Sequence, residues 1–172
     1  QGTRRVPWAI FLCCRHRWQE EGMAAPIEDY AMLSDCRAAA LVSREGSIDW
    51  LCLPRFDSPS LFGALLGDER HGRWRLRPTD PEATATRAYE GDCFVLHTRW
   101  TTATGVAEVI EFMPHDEHTD IVRRIRGVEG HVEFEVELRV RPDYARSMPW
   151  MRQVGTDDEP ALVAIAGPDA IV

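Results

Sequence analysis

Hydrophobic and polar positions alternate along most of the chain, and the period is that of strands. The longest run is His131 to Val140, in which Val132, Phe134, Val136, Leu138 and Val140 share one face and Glu133, Glu135, Glu137 and Arg139 the other. With Asp120 to Val128 before it and a turn at Glu129-Gly130, this run predicts a hairpin whose apolar face turns inward. A second hairpin is expected from Cys93 to Thr102 and Val106 to Met113 about Ala103-Thr104-Gly105, with Phe94, Leu96, Thr98 and Trp100 on one face. Earlier in the chain, Ala38 to Ser43 returns as Ser47 to Leu53 through Arg44-Glu45-Gly46. Gly72 to Arg77 alternates Trp74 and Leu76 with three arginines, which predicts a half-buried strand with an arginine-lined outer face. Ala161 to Ala166 and Ala170 to Val172 read as strand, turn, strand. Pro78 to Ala88 and the aromatic-bearing MPWMRQ stretch at 148–153 read as loops.

One segment departs from this period. Leu61, Phe62, Leu65 and Leu66 recur at helical spacing, Asp57 and Ser58 suit a helix N-cap, Pro59 suits the first helical position, and Gly67 suits the end. The pattern predicts a short helix over 59–66. Between it and the strand before it lies Pro54-Arg55-Phe56-Asp57, a corner that sets a guanidinium, an aromatic face and a carboxylate side by side. Many strands at hairpin spacing with a single short helix predict an all-β fold, an antiparallel β-sandwich. The final hairpin lacks its second arm, so a truncated sandwich is expected.

Composition narrows the function classes. The chain has 172 residues, 28 acidic against 20 basic, with a formal charge of -8 and a pI near 5.2. Such a balance gives no electrostatic footprint for nucleic acid or an anionic membrane. Cys13, Cys14, Cys36, Cys52 and Cys93 are odd in number and lack paired CxxC or Cys/His spacing, which argues against both a zinc site and a disulfide framework. A reduced, cytoplasmic protein without metal or cofactor is expected. His115 and His118 lie in the acidic stretch PHDEHTD, where a divalent cation is conceivable and a solvated loop is the expectation. Residues 1–22 differ from the rest: they are basic, carry the apolar run Val6 to Cys14, and begin with a twin-arginine-like Thr3-Arg4-Arg5 that Pro7 and Trp8 interrupt. They are expected to lie outside a domain spanning 23–172.

The text YAMLSDCRAAALVSREGSIDWLCLPRFDSPSLFGALLG, followed by TRWTTATGVAEVIEFMP and RPDY, resembles the N-terminal domain of bacterial glycoside hydrolase family 15, the glucoamylase and trehalase-like enzymes. The resemblance runs from Ile27 to about Val172. It implies a sandwich of the super-β-sandwich type that precedes an (α/α)6 barrel, and an inverting hydrolysis of α-glucosides such as trehalose or α-glucan oligosaccharides. Inversion needs an acid and a base roughly 6.5 to 9.5 Å apart. The resemblance puts both on the barrel, and no residue of this chain matches them. Its implied partners are therefore the barrel of the same polypeptide and an α-glucoside.

On that reading Arg55, Phe56 and Asp57 are candidates to reach the sugar site or the domain interface; alternatively they only brace the turn. Two other classes compete. A free-standing carbohydrate-binding module would need Trp74, Trp100 and Trp150 as an exposed platform. An independent enzyme would need work from Glu108, Glu111, Asp116, Glu117 or Asp120. The sequence departs from the family's usual text at Glu45, where Asp is commoner, and at Ser34-Asp35-Cys36, where Gly-Asp-Gly is commoner. Ser34 puts a positive φ at that position in question.

Overall fold

A computed structural model describes residues 25–156, 160–166 and 169–172. The leader at 1–22 lies outside the described residues. Among the described residues thirteen strands form three antiparallel sheets. The first holds β1 (Ala31–Ser34), β2 (Ala39–Val42), β3 (Ser47–Cys52), β5 (Arg73–Pro78) and β10 (Phe134–Arg139) in that order, with β4 (Ser60–Phe62) pairing β3. The second runs β6 (Thr84–Tyr89), β7 (Leu96–Thr101), β8 (Gly105–Phe112), β9 (Val122–Gly130). The third is β11 (Trp150–Gly155), β12 (Pro160–Ala166), β13 (Asp169–Ile171). The fold is all-β, with the first two sheets packed face to face as a sandwich.

Buried apolar residues fill the space between them. Leu33, Val42, Ile48 and Phe62 from the first sheet meet Leu96 from the second, and Ala164 of the third sheet joins the same cluster. A second cluster sets Leu76 against Trp100 and Val109. The hairpins at β2/β3 and β7/β8 form as the alternation predicts. Gly46, in the turn between β2 and β3, has φ +71°, and a Cβ there would stand 2.4 Å from the Leu76 carbonyl oxygen, so the turn needs glycine for both its conformation and its clearance.

A buried arginine staples the sandwich. Arg123 on β9 donates to Glu111 of β8 (Nε to Oε1, 2.8 Å) and, across the sandwich, to the carbonyls of Trp74 and Gly46, each at 2.7 Å. Its guanidinium carbon also sits 5.1 Å from the centroid of the Trp74 ring. Both charged side chains are 1% exposed. Burial pulls the Arg123 pKa down, and the Glu111 carboxylate opposes that pull.

Several expectations are corrected. Over 59–66 the chain forms strand β4 and then a 3-10 turn at Ala64–Leu66, not a continuous helix. A helix of two turns is marginal by itself. Pairing wins here: Leu51 opposes Phe62, the Arg141 amide donates to the Leu61 carbonyl (3.1 Å), and Ser60 Oγ accepts from the Tyr144 amide (2.9 Å).

The hairpin expected across Glu129-Gly130 does not form either. β9 pairs β8 in one sheet, whereas β10 pairs β5 in the other, and the chain crosses between them where the His131 amide donates to the Thr104 carbonyl. Alternation is the same for a strand that turns back and for one that changes sheet. As a result Val136 and Leu138, expected inside, lie on the outermost strand at 48% and 41% exposure. The loops expected at 78–88 and 148–153 contain β6 and the start of β11. Phe94 precedes β7 and is exposed.

Candidate functional site

Three loops meet at one end of the sandwich: 35–38 between β1 and β2, 53–59 between β3 and β4, and 113–121 between β8 and β9. Arg37 ties the first to the third by donating its guanidinium to the carbonyls of Asp116 and Glu117. The first is tied to the second by the Phe56 amide, which donates to the Arg37 carbonyl at 3.0 Å. His115 Nδ1 lies 3.2 Å from the Asp35 carbonyl oxygen. The first loop is in turn organised by Asp35, whose buried carboxylate accepts from the amides of Arg37 (2.9 Å) and Ala38 (2.7 Å). Burial works to raise the Asp35 pKa, but those amides and the Arg37 guanidinium hold it below the usual carboxylate range.

Arg55, Phe56 and Asp57 sit on top of this braced platform. Arg55 Nε donates to Asp57 Oδ1 at 3.0 Å, and the two side chains remain 71% and 74% exposed. Ser58 does not cap a helix; its hydroxyl accepts from the Arg55 amide at 3.2 Å, and its own amide donates to the Arg55 carbonyl. Phe56 is 59% exposed. An exposed phenyl ring held by its backbone, flanked by a guanidinium and a carboxylate in solvent, can stack on an apolar face while the charged pair hydrogen-bonds to hydroxyls. The backbone of the turn is also held by the Arg37 carbonyl and the Ser58 hydroxyl, beside the Arg55–Asp57 pair. An exposed pair of this kind stabilises the fold by less than about 1 kcal/mol.

The other candidates resolve differently. Trp100 is 2% exposed and belongs to the core, and Trp74 is half-buried beneath Arg123, so Trp150, at 72% exposure, stands without the two aromatic neighbours that a platform would need. Glu111 is consumed by Arg123, and Glu108 by His97 (3.3 Å) and Arg126 (2.5 Å). Asp116 and Glu117 offer their backbone to Arg37. The arginine-lined face of β5 is engaged in ion pairs: Arg73 pairs Glu137 (2.6 Å), Arg75 pairs Glu135 (2.9 Å) and Arg77 pairs Glu45 (2.6 Å). Among the described residues no group of three His, Cys, Asp or Glu side chains is arranged to hold a metal ion.

Sequence reasoning missed Arg37 and the 113–121 loop as supports of the corner. They lie about 80 positions apart, and no local pattern links a polar loop to a backbone contact that distant.

A family sequence pattern described as "Trehalase-like, N-terminal" matches residues 14–168. A trehalase of Mycolicibacterium smegmatis is 38% identical over 147 residues, covering 73% of this chain and 22% of the relative. A trehalase of Mycobacterium tuberculosis is 43% identical over 101 residues, 59% of this chain and 15% of the relative. Trehalase 1 of Sulfolobus acidocaldarius is 41% identical over 117 residues, 67% of this chain and 19% of the relative. The chain therefore spans about a fifth of the length of the curated relatives it matches. No solved structure matches it significantly.

Proposed function

The chain belongs to the trehalase-like N-terminal family, and from that premise we propose that it is the non-catalytic sandwich of a hydrolase of α-glucosides, trehalose foremost. Its partner is a catalytic (α/α)6 barrel in the same polypeptide, and the corner at Arg55, Phe56 and Asp57 faces that barrel's sugar site. The observation that carries the reading is the corner itself: a turn braced by the Arg37 carbonyl presents a guanidinium, a phenyl ring and a carboxylate to solvent together. Glu108 and Glu111, two of the candidate acids, are engaged in ion pairs, which favours hydrolysis being carried out elsewhere. The thiols of Cys36, Cys52 and Cys93 are free, which fits a reducing cytoplasmic setting. Among the described residues no helix is long and apolar enough to cross a membrane.

The test is substitution of Arg55 by alanine in an intact trehalase-like hydrolase that carries this corner together with its barrel, followed by steady-state kinetics on trehalose. Loss of hydrogen bonds from a charged group to a sugar lowers kcat/KM by about tenfold or more, with the melting temperature unchanged. Unchanged kinetics with a lowered melting temperature would leave the corner as a turn brace only.

A further inference from the structure

The corner at 53–59 shapes itself but is placed by its neighbours. Within it the Arg55 amide donates to Ser58 Oγ and the Ser58 amide to the Arg55 carbonyl, which closes the turn without fixing where it stands. Among the described residues two hydrogen bonds tie it to the adjoining loops: the Phe56 amide donates to the Arg37 carbonyl at 3.0 Å, and the Thr119 hydroxyl donates to the Pro54 carbonyl at 3.5 Å. These two anchors are joined to each other by the Arg37 side chain. Its guanidinium reaches the carbonyls of Asp116, Glu117 (3.4 Å) and His118 (3.5 Å), the three residues that lead into Thr119. The contacts close a ring that runs from the Arg37 guanidinium to 116–118, through Thr119 to Pro54, and from Phe56 back to the Arg37 carbonyl. Arg37 enters the ring twice, by its backbone and by its side chain, and only the second link depends on the residue being arginine.

Asp35 fastens the ring to the sandwich. Its buried carboxylate accepts from the Arg37 and Ala38 amides through Oδ1, while Oδ2 makes no hydrogen bond among the described residues and is met by Arg37 Nε at 3.4 Å. A planar guanidinium with five donors can face that carboxylate and several carbonyls at once, which a single ammonium cannot. The side chains of the corner have no comparable support: Arg55 and Asp57 pair with each other in solvent and Phe56 is exposed, so their placement follows the backbone beneath them. A shift of about 1 Å in a group remote from the chemistry can cost an enzyme up to about 100-fold in rate. We propose that Arg37 is a positioning residue for recognition of the α-glucoside: by closing the ring of three loops it holds Arg55, Phe56 and Asp57 where the sugar meets them. The assignment rests on the corner facing the sugar site of the barrel.

The test uses an intact trehalase-like hydrolase that carries Arg37 and this corner together with its barrel, with steady-state kinetics on trehalose and hydrogen exchange of the peptides over 53–59 and 113–121. Arg37→Met is expected to raise KM about fivefold or more with kcat little changed, because the corner binds sugar without touching the reacting bond, and to speed exchange in both peptides. Arg37→Lys keeps a charge beside Asp35 and so preserves the fold, yet KM rises in the same direction because its ammonium cannot span the three carbonyls. In the background Arg55→Ala/Phe56→Ala/Asp57→Ala, adding Arg37→Met should change the kinetics no further, since Arg37 acts through those side chains. A lowered melting temperature with unchanged KM in both Arg37 variants, unchanged exchange over 53–59, or losses that multiply in the combined variant would overturn the role of Arg37 while leaving the corner in the sugar site. Unchanged kinetics in the triple alanine variant would remove the corner from the sugar site and the role of Arg37 with it.

Discussion

Replacing Arg123 by methionine asks how much of the sandwich depends on this buried cation. The substitution keeps the volume of the stem, removes the charge, and leaves Glu111 at 1% exposure without its partner. Truncating one side of a buried ion pair costs about 3–5 kcal/mol, because the remaining charge is left uncompensated. The carbonyls of Trp74 and Gly46 each lose a donor as well, although the Gly46 oxygen keeps the Leu76 amide at 2.9 Å. We expect a total loss of about 4 kcal/mol or more, against a stability of about 5–15 kcal/mol for an ordinary domain. Removing both charges as Arg123→Met/Glu111→Leu should be milder, about 1–2 kcal/mol, because only the carbonyl contacts then go unreplaced. Urea unfolding followed by tryptophan fluorescence reads both differences, provided the denaturant slopes agree. A single variant within about 1 kcal/mol of wild type, or a double variant no more stable than the single, would refute the staple.

Other substitutions probe the turns. Gly46→Ala brings a Cβ to 2.4 Å from the Leu76 carbonyl oxygen at a φ of +71°, and a destabilisation of at least about 2 kcal/mol is expected in the same urea assay. Cys36 holds φ +70° without being glycine, so Cys36→Gly should raise stability by about 0.5–1 kcal/mol, seen as a melting temperature about 2–4 °C higher. Asp68 is held down to about 2, first by its hydrogen bond with the Arg70 side chain, then against burial by the Arg70 amide. A depressed carboxyl stabilises the fold above its unfolded value and loses that contribution as pH falls from about 4 to about 2. Asp68→Asn should therefore cost about 1 kcal/mol at neutral pH, after allowance for the solvent around Arg70, and should flatten the acid limb of thermal stability in that window. Identical acid limbs in both proteins would contradict the assignment.

The sequence makes the strands legible where a face is buried and a turn is local. β2/β3 and β7/β8 fall where alternation and the turns at Gly46 and Ala103-Thr104-Gly105 put them, because the partner of each strand is its neighbour in the chain. What is illegible is set by distant partners. Helical spacing in Leu61, Phe62, Leu65 and Leu66 is overruled because Leu51 and Arg141 supply partners to β4 that no local signal announces. β6 reads as a loop because Thr84 to Tyr89 is mostly exposed and poor in large apolar residues; its register comes from pairing with β7.

The candidate site divides in the same way. Arg55, Phe56 and Asp57 can be singled out from their chemistry, while the platform beneath them, built by Asp35, Arg37 and the carbonyls of Asp116 and Glu117, exists only once loops about 80 positions apart have met. The positive φ of this turn lies at Cys36, two residues after the Ser34 position that the sequence put in question.

The account rests on the sugar chemistry residing outside this sandwich. Incubating the purified chain with trehalose while following glucose release, with calorimetry of the same mixture, tests that claim most directly. No glucose and no saturable heat at millimolar trehalose is the predicted result; glucose released in proportion to the chain present would contradict it.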